Sequence, residues 1–163
     1  MSKLLSEQAY QAIDRETAKY PPDQKQSTVM AALAIAQEEH GWVSPDLIRE
    51  VALYLGMPPI RVQEVASFYT MYQTQPVGRF TLTICTNLPC ALQGSTAAAE
   101  HLKQTLGVDF HETTADGLFT LLEGECMGAC GDAPVVIAND RHMCCRMTPE
   151  RIDALIAELK ESA

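Results

Sequence analysis

No stretch of this 163-residue sequence is long and apolar enough to span a bilayer. The longest unbroken apolar run, Val29 to Ala36, falls far short of the ~20 residues a membrane helix needs. Basic residues are scarce: 12 Lys and Arg stand against 21 Asp and Glu, for a formal net charge of −9. That balance argues against nucleic acid and against an anionic membrane surface, both of which are bound through Lys and Arg. Residues 1–8 show no apolar signal segment, no twin-arginine pair and no Arg-rich transit character, so the expected location is the cytoplasm. No G-x-G-x-x-G opens a helix after a strand, and no G-x-x-x-x-G-K-[ST] occurs. Neither a dinucleotide nor FMN is therefore expected to bind this chain by itself. Cysteine is missing from the first half and C-x-x-C from the whole chain. The second absence removes thioredoxin-type dithiol chemistry and the usual zinc knuckle.

What is present begins with a chain rich enough in apolar residues, 47%, to fold around a core without disulfides. The first 75 residues or so read as helices. Ser6 caps one with Ala9, Ile13 and Tyr20 on its apolar face, ended by Pro21-Pro22. A second runs from about Thr28 to His40, with Val29, Leu33 and Ala36 inward and Gly41 just past its end. Ser44-Pro45-Asp46 opens a third, whose stripe is Leu47, Ile48, Val51 and Leu55. After Gly56, Pro58-Pro59 restarts the chain and Val62, Val65 and Ala66 make a fourth. Gln75-Pro76-Val77-Gly78 is a turn and a domain boundary.

Beyond it the period changes. Phe80 to Ile84 alternates and is β-branched, predicting a strand. Thr96 to Leu106 predicts a helix, and Leu118 to Leu122 and Pro134 to Ala138 predict strands. Asn139-Asp140 is a hairpin turn with Arg141 to Cys145 returning. Thr148-Pro149-Glu150 caps a last helix with Ile152, Leu155, Ile156 and Leu159 in register. The fold class is α/β (α+β): a helical domain over 1–77, then a sheet domain over 78–163.

The chemistry concentrates in six cysteines, Cys85, Cys90, Cys126, Cys130, Cys144 and Cys145. Cys85 and Cys90 form C-x4-C after the first strand, and Cys126 and Cys130 form C-x3-C after a later one. If those strands are parallel neighbours, both loops meet at one end of the sheet, and four thiolates converging there suit a metal centre. Pro89 and Gly94 bracket a helix start after Cys90, where the helix N-terminus would favour a thiolate. Spacings wider than C-x2-C favour a [2Fe–2S] rhomb over zinc, although zinc and unligated thiols remain alternatives. Rieske-type ligation is excluded because neither loop contains His. His40, His101, His111 and His142 share no ligand spacing. Trp42 is expected as a core anchor at a helix end, and Phe68, Tyr69, Met71 and Tyr72 as domain-interface packing. Cys144 and Cys145, adjacent on a strand, face opposite ways; one is expected packed and the other nearer the surface. Glu123, Glu125 and Asp132 flank the second pair with no Lys or Arg nearby in sequence, which predicts a low reduction potential.

These motifs resemble the small, E-type [2Fe–2S] subunit family of respiratory NADH:quinone oxidoreductase (complex I). The resemblance runs through Ala32-Leu33, Gln37-Glu38, Gly41-Trp42, Val51-Ala52, Phe68-Tyr69 and Pro76-Val77-Gly78 in the helical half. In the second half it runs through Cys85-Thr86-Asn87-Leu88-Pro89-Cys90, residues 117–121, Glu125 to Pro134, and Thr148-Pro149-Glu150. It implies an N-terminal helical bundle followed by a thioredoxin-like [2Fe–2S] ferredoxin domain. It implies one [2Fe–2S] cluster, with Cys85, Cys90, Cys126 and Cys130 as its ligands and Cys144 and Cys145 outside the set. It implies a flavoprotein partner that alone binds FMN and NADH, so that this chain is not catalytically competent without it. The assembly would sit peripherally on the cytoplasmic face of a bacterial inner membrane, with this subunit not inserted. Related subunits of NAD-linked hydrogenases and formate dehydrogenases share the pattern, and a zinc-stapled interaction module is the reading from another class.

Overall fold

The computed structural model describes residues 3–162. A division between Pro76 and Val77 separates two compact units; residues 1, 2 and 163 of the domain ranges expected from sequence lie outside the described residues.

The first unit is helical. Its helices are α1 (Glu7–Thr17), α2 (Val29–His40), α3 (Pro45–Leu55) and α4 (Pro59–Phe68), with a 3-10 segment over Pro22–Thr28 before α2. The Ser6 and Ser44 hydroxyls accept from the N–H groups of Ala9 and Leu47, each satisfying one of the amides a helix start leaves unpaired. Ile13, Leu33, Val51 and Val62 meet in its core. Two expectations fail here. Tyr20 lies beyond the end of α1 and is exposed, because the helix stops at Thr17 and its stripe is completed by Tyr10. Trp42 is only half-buried, and the anchor after α2 is its neighbour Val43, fully buried. Phe68 is 77% exposed, and Tyr69 and Met71 are exposed as well. Tyr72 alone of that segment turns inward, its hydroxyl donating to the Met30 carbonyl at 2.8 Å.

The second unit is a five-stranded sheet with strands β1 (Phe80–Cys85), β2 (Glu112–Thr113), β3 (Phe119–Gly124), β4 (Val136–Ala138) and β5 (His142–Cys144), in the order β2-β3-β1-β4-β5. A one-turn helix α5 (Leu88–Ala91), a longer α6 (Ser95–Leu106) and a terminal α7 (Pro149–Glu161) complete it. α6 contacts β1 and β3, and α7 packs beside α6. Leu82, Ile84, Leu102, Phe119, Leu121 and Ile152 form the core. β1 and β3 pair in parallel, from Phe80 opposite Phe119 to Cys85 opposite Gly124, as the two-loop argument requires.

The alternation in β1 does not mark a solvated face. Thr81 and Thr120 are buried too, and the Thr120 hydroxyl bonds Thr113 at 2.7 Å and accepts from the Gly78 amide at 2.6 Å. Thr120 satisfies its hydroxyl within the sheet, so it passes for a polar surface residue in sequence. Asn139 and Asp140 both take left-handed φ, 52° and 53°, the conformation a tight hairpin turn demands. No helix among the described residues is long and apolar enough to cross a membrane.

Candidate metal centre

Parallel pairing decides where the thiols go. Cys85 is the last residue of β1 and stands opposite Gly124, the last of β3. The segments leaving both strands therefore start side by side at one edge. Space is tight at Gly124: a Cβ on it would lie 2.7 Å from the Thr83 γ-methyl and 2.8 Å from the Met127 ε-methyl. Gly128, midway between Cys126 and Cys130, has φ of +76°, a left-handed turn that lets the loop double back.

The two loops are stapled to each other. The Thr86 hydroxyl donates to Glu123 at 2.8 Å, and the Asn87 amide donates to Glu125 at 2.8 Å. The Thr86 N–H reaches the Gly124 carbonyl at 3.1 Å, and the Cys85 N–H reaches the Val135 carbonyl at 3.0 Å. Sequence reading treats Glu123 and Glu125 only as charges beside the ligands; in the structure they are fasteners. The signal exists in the sequence only once the register is known, since it sets Glu123 beside Ile84 and so Glu125 beside Thr86.

Cys126 Sγ and Cys130 Sγ lie 3.7 Å apart. Two thiolates sharing one tetrahedral metal through bonds of about 2.3 Å are separated by about 3.8 Å, so this pair is set at bidentate spacing. Cys85 and Cys90 are hydrogen-bond neighbours in their turn. Burial, then the Cys85 thiol and the charges at Cys130 and Cys126, push the Cys90 thiol up to about 11. The Cys130 thiol is raised by its hydrogen bond with Cys126, by burial and by the charges at Cys126 and Cys85. Cys90 and Cys130 thus resist ionising beside their neighbours, and a cationic centre would relieve that repulsion. Among the described residues no group of three or more His, Cys, Asp or Glu is placed to hold one ion. The thiols come as two pairs, and a [2Fe–2S] cluster would take two thiolates on each of its two irons.

The pairs differ in access. Cys85 and Cys90 are 1% and 2% exposed, whereas Cys126 is exposed and Cys130 half-buried. Cys90 lies inside α5 rather than ahead of a long helix; Asn87 precedes that turn and Gly94 separates it from α6. The expected help from a helix N-terminus is absent, and the thiol moves up instead of down. Cys144 and Cys145 are both half-buried, Cys144 against the sheet core. A basic residue reaches the second loop across the sheet: the Arg146 guanidinium pairs with Asp132 at 2.7 Å. Arg146 is distant in sequence but adjacent in space because β5 runs back along β4.

The profile of the thioredoxin-like [2Fe-2S] ferredoxin family matches residues 13–160. The chain is 44% identical over 149 residues to the E 2 subunit of NADH-quinone oxidoreductase from Rhizobium meliloti (strain 1021), covering 91% of this chain and 86% of that one. It is 39% identical over 148 residues to NADH-quinone oxidoreductase subunit 2 of Thermus thermophilus, covering 91% and 82%. Among solved structures it is similar to a chain of an NAD+-reducing [NiFe]-hydrogenase in the air-oxidized state, with 25% identity and a TM-score of 0.73 over 88% of this chain. This chain spans only 24% of that hydrogenase chain.

Proposed function

The chain belongs to the thioredoxin-like [2Fe-2S] ferredoxin family, and we propose that it is the electron-transfer subunit of an NADH:quinone oxidoreductase. Cys85, Cys90, Cys126 and Cys130 hold one [2Fe–2S] cluster, which exchanges single electrons with FMN in an NADH-oxidising partner. The observation that carries this reading is the parallel register of β1 and β3, which brings both thiol pairs to one sheet edge, the second at bidentate spacing.

The protein's share of the work is placement and environment. The cross-loop bonds of Thr86 and Asn87 fix the first loop against the second. Burial of Cys85 and Cys90 keeps water from one side, while exposed Cys126 leaves the other within reach of a partner. When bound, the cluster supplies one-electron redox chemistry. Hydride chemistry belongs to the flavoprotein, so this subunit does not oxidise NADH alone. The sheet domain, 78–163, carries the cluster, and the helical domain, 1–77, contributes to docking. The subunit works at the cytoplasmic face of the inner membrane as a peripheral part of the complex.

The hydrogenase likeness favours a second reading, the same module within an NAD-linked hydrogenase. The NADH-quinone oxidoreductase relatives support the first more strongly, being more similar and matched along most of their own length. Reconstitution with iron and sulfide tests the cofactor: a brown-red chain that becomes EPR-active on one-electron reduction supports it, and a colourless zinc protein sinks it. Co-expression with the flavoprotein tests the rest. A one-to-one complex in which NADH reduces this cluster is expected, weakened by deletion of residues 1–75. Equal binding by the truncated chain would remove the helical domain from docking.

A further inference from the structure

Arg146 makes contacts and adopts a backbone conformation that the hairpin does not need. Its N–H donates to the Asp132 carbonyl at 2.7 Å, and its guanidinium Nη2 donates to Asp132 Oδ1, also at 2.7 Å. One residue thus grips another twice, two positions beyond Cys130. The grip continues next door, where the Met147 N–H donates to the Pro134 carbonyl at 2.9 Å. Residues 146 and 147 therefore form a brace along the outgoing arm of the second thiol loop.

The brace is held in an unfavourable conformation. Arg146 has φ of +54°, in the left-handed region that residues other than Gly, Asn and Asp seldom adopt. The hairpin has its own left-handed pair at Asn139 and Asp140, so it does not require this one. Stability does not explain it either. The Arg146 side chain is 71% exposed, and an exposed ion pair contributes little.

We propose that Arg146 is a positioning residue for the second thiol pair: it holds the Cys126–Cys130 loop through Asp132, and its charge favours addition of the electron. The proposal rests on the reading of these thiols as cluster ligands. One-electron reduction adds a negative charge to a site already bordered by Glu123, Glu125 and Asp132. Asp132 alone would oppose it. Arg146 offsets Asp132, and in doing so keeps the loop and its charge balance tied to one contact.

The test uses the full chain with Arg146→Gly, Arg146→Lys and Asp132→Asn. Glycine accepts the left-handed φ and keeps the N–H, so the first change removes the side-chain bond and the charge alone. Lysine keeps the charge and loses the planar fork. After reconstitution, EPR-monitored titration at low ionic strength should show Arg146→Gly moving to a more negative midpoint. A unit charge near the site in a mostly aqueous dielectric corresponds to about a two- to fivefold lower equilibrium constant for reduction. Arg146→Lys should recover most of that shift, Asp132→Asn should move the other way, and 1 M salt should compress all of them. Midpoints for Arg146→Gly and the unmodified chain that coincide at low salt would overturn the electrostatic role.

The bracing role has a metal-free readout. In the iron-free chain, alkylation of Cys126 and Cys130 relative to Cys144 should quicken in Arg146→Gly, and an unchanged ratio would overturn it. If Arg146→Gly fails to fold, Arg146→Lys and Asp132→Asn carry both comparisons. An unmodified chain that takes up no cluster would sink the reading of the ligands while the alkylation comparison still judged the brace.

Discussion

A methyl group added at Gly78 should unfold the sheet domain far more readily than one added at Gly124, although the tighter contacts are at Gly124. A Cβ at Gly78 would sit 2.9 Å from three backbone atoms of Leu118 and Phe119. The amide of Gly78 is also fixed by its bond to Thr120. Those atoms belong to the start of β3 and its pairing with β1, so relief requires moving a strand. At Gly124 the close atoms are the methyl ends of Thr83 and Met127. Met127 can swing away through three side-chain torsions, and the Thr83 hydroxyl has no hydrogen-bond partner to lose if that side chain turns. Overpacking costs about 1–3 kcal/mol, and Gly→Ala returns about 0.4–1 kcal/mol by restricting the unfolded chain. The net is about 2 kcal/mol for Gly78→Ala and about 0.5–1 kcal/mol for Gly124→Ala. At about 4–8 °C per kcal/mol for a domain of this size, the Tm losses are about 8–16 °C and 2–8 °C. The iron content should rank the other way, because Gly124 lies two residues before Cys126 and Gly78 lies at the start of β1, away from the loops. Circular-dichroism melting and iron per chain, measured on the same preparations, check both rankings. A larger Tm loss in Gly124→Ala would refute the argument that neighbour rigidity, not raw distance, sets the cost.

Replacing any one of Cys85, Cys90, Cys126 or Cys130 by Ala should abolish or destabilise the visible cluster spectrum, while Cys144→Ala with Cys145→Ala leaves it intact; a colourless double variant would move the ligand assignment. In the metal-free folded chain, mass-spectrometric alkylation should label Cys126 first and Cys85 and Cys90 last, following exposure, and uniform labelling would contradict the burial of the first pair. Glu50 should govern the acid limb of stability in the helical unit. Burial pushes its carboxyl up, but the N–H groups of Leu5 and Leu4 and the Tyr10 hydroxyl more than offset this and hold it below its usual 4.5. A carboxylate depressed in the folded state stabilises above the unfolded value and ceases to as pH falls through the folded one. Glu50→Gln should therefore be less stable than the unmodified chain at pH 7, with the gap closing below about pH 4.5. Denaturation midpoints across that range decide it, and a pH-independent gap would exclude the linkage.

The helical half was legible because its punctuation is local. Ser6 and Ser44 each cap the helix they precede, and Gly41 and Gly56 each end one, as Thr148 caps α7 in the sheet domain. Such signals act within four residues and need no partner from elsewhere. Where a partner decides, the sequence misleads. Tyr20 falls on the stripe by spacing but after the last turn of α1, and Tyr10 takes the inward position. Trp42 draws attention by its size, yet the chain turns so that Val43 is the residue enclosed. The two-residue strand β2 has no apolar pattern; Glu112 and Thr113 are both exposed, and only their pairing with β3 makes them a strand.

The candidate site divides along the same line. Cysteine spacing and strand order suffice to bring the four thiols to one edge, because a parallel pair has only one way to deliver two following loops. Everything that distinguishes one thiol pair from the other depends on contacts between segments far apart in the chain. Thr86 and Asn87 become fasteners only when Glu123 and Glu125 arrive beside them. The acidic rim, read along the sequence, has no counter-charge; read across the sheet, it meets Arg146 at Asp132. The acidic field expected from sequence is thus reduced at one acid of the three. Two of those acids spend a carboxylate oxygen on a neutral donor, and the third faces a guanidinium. A neutral donor leaves the charge of Glu123 and Glu125 in place, so among these three acids only Asp132 has its charge offset, by an exposed arginine that solvent and salt can reach.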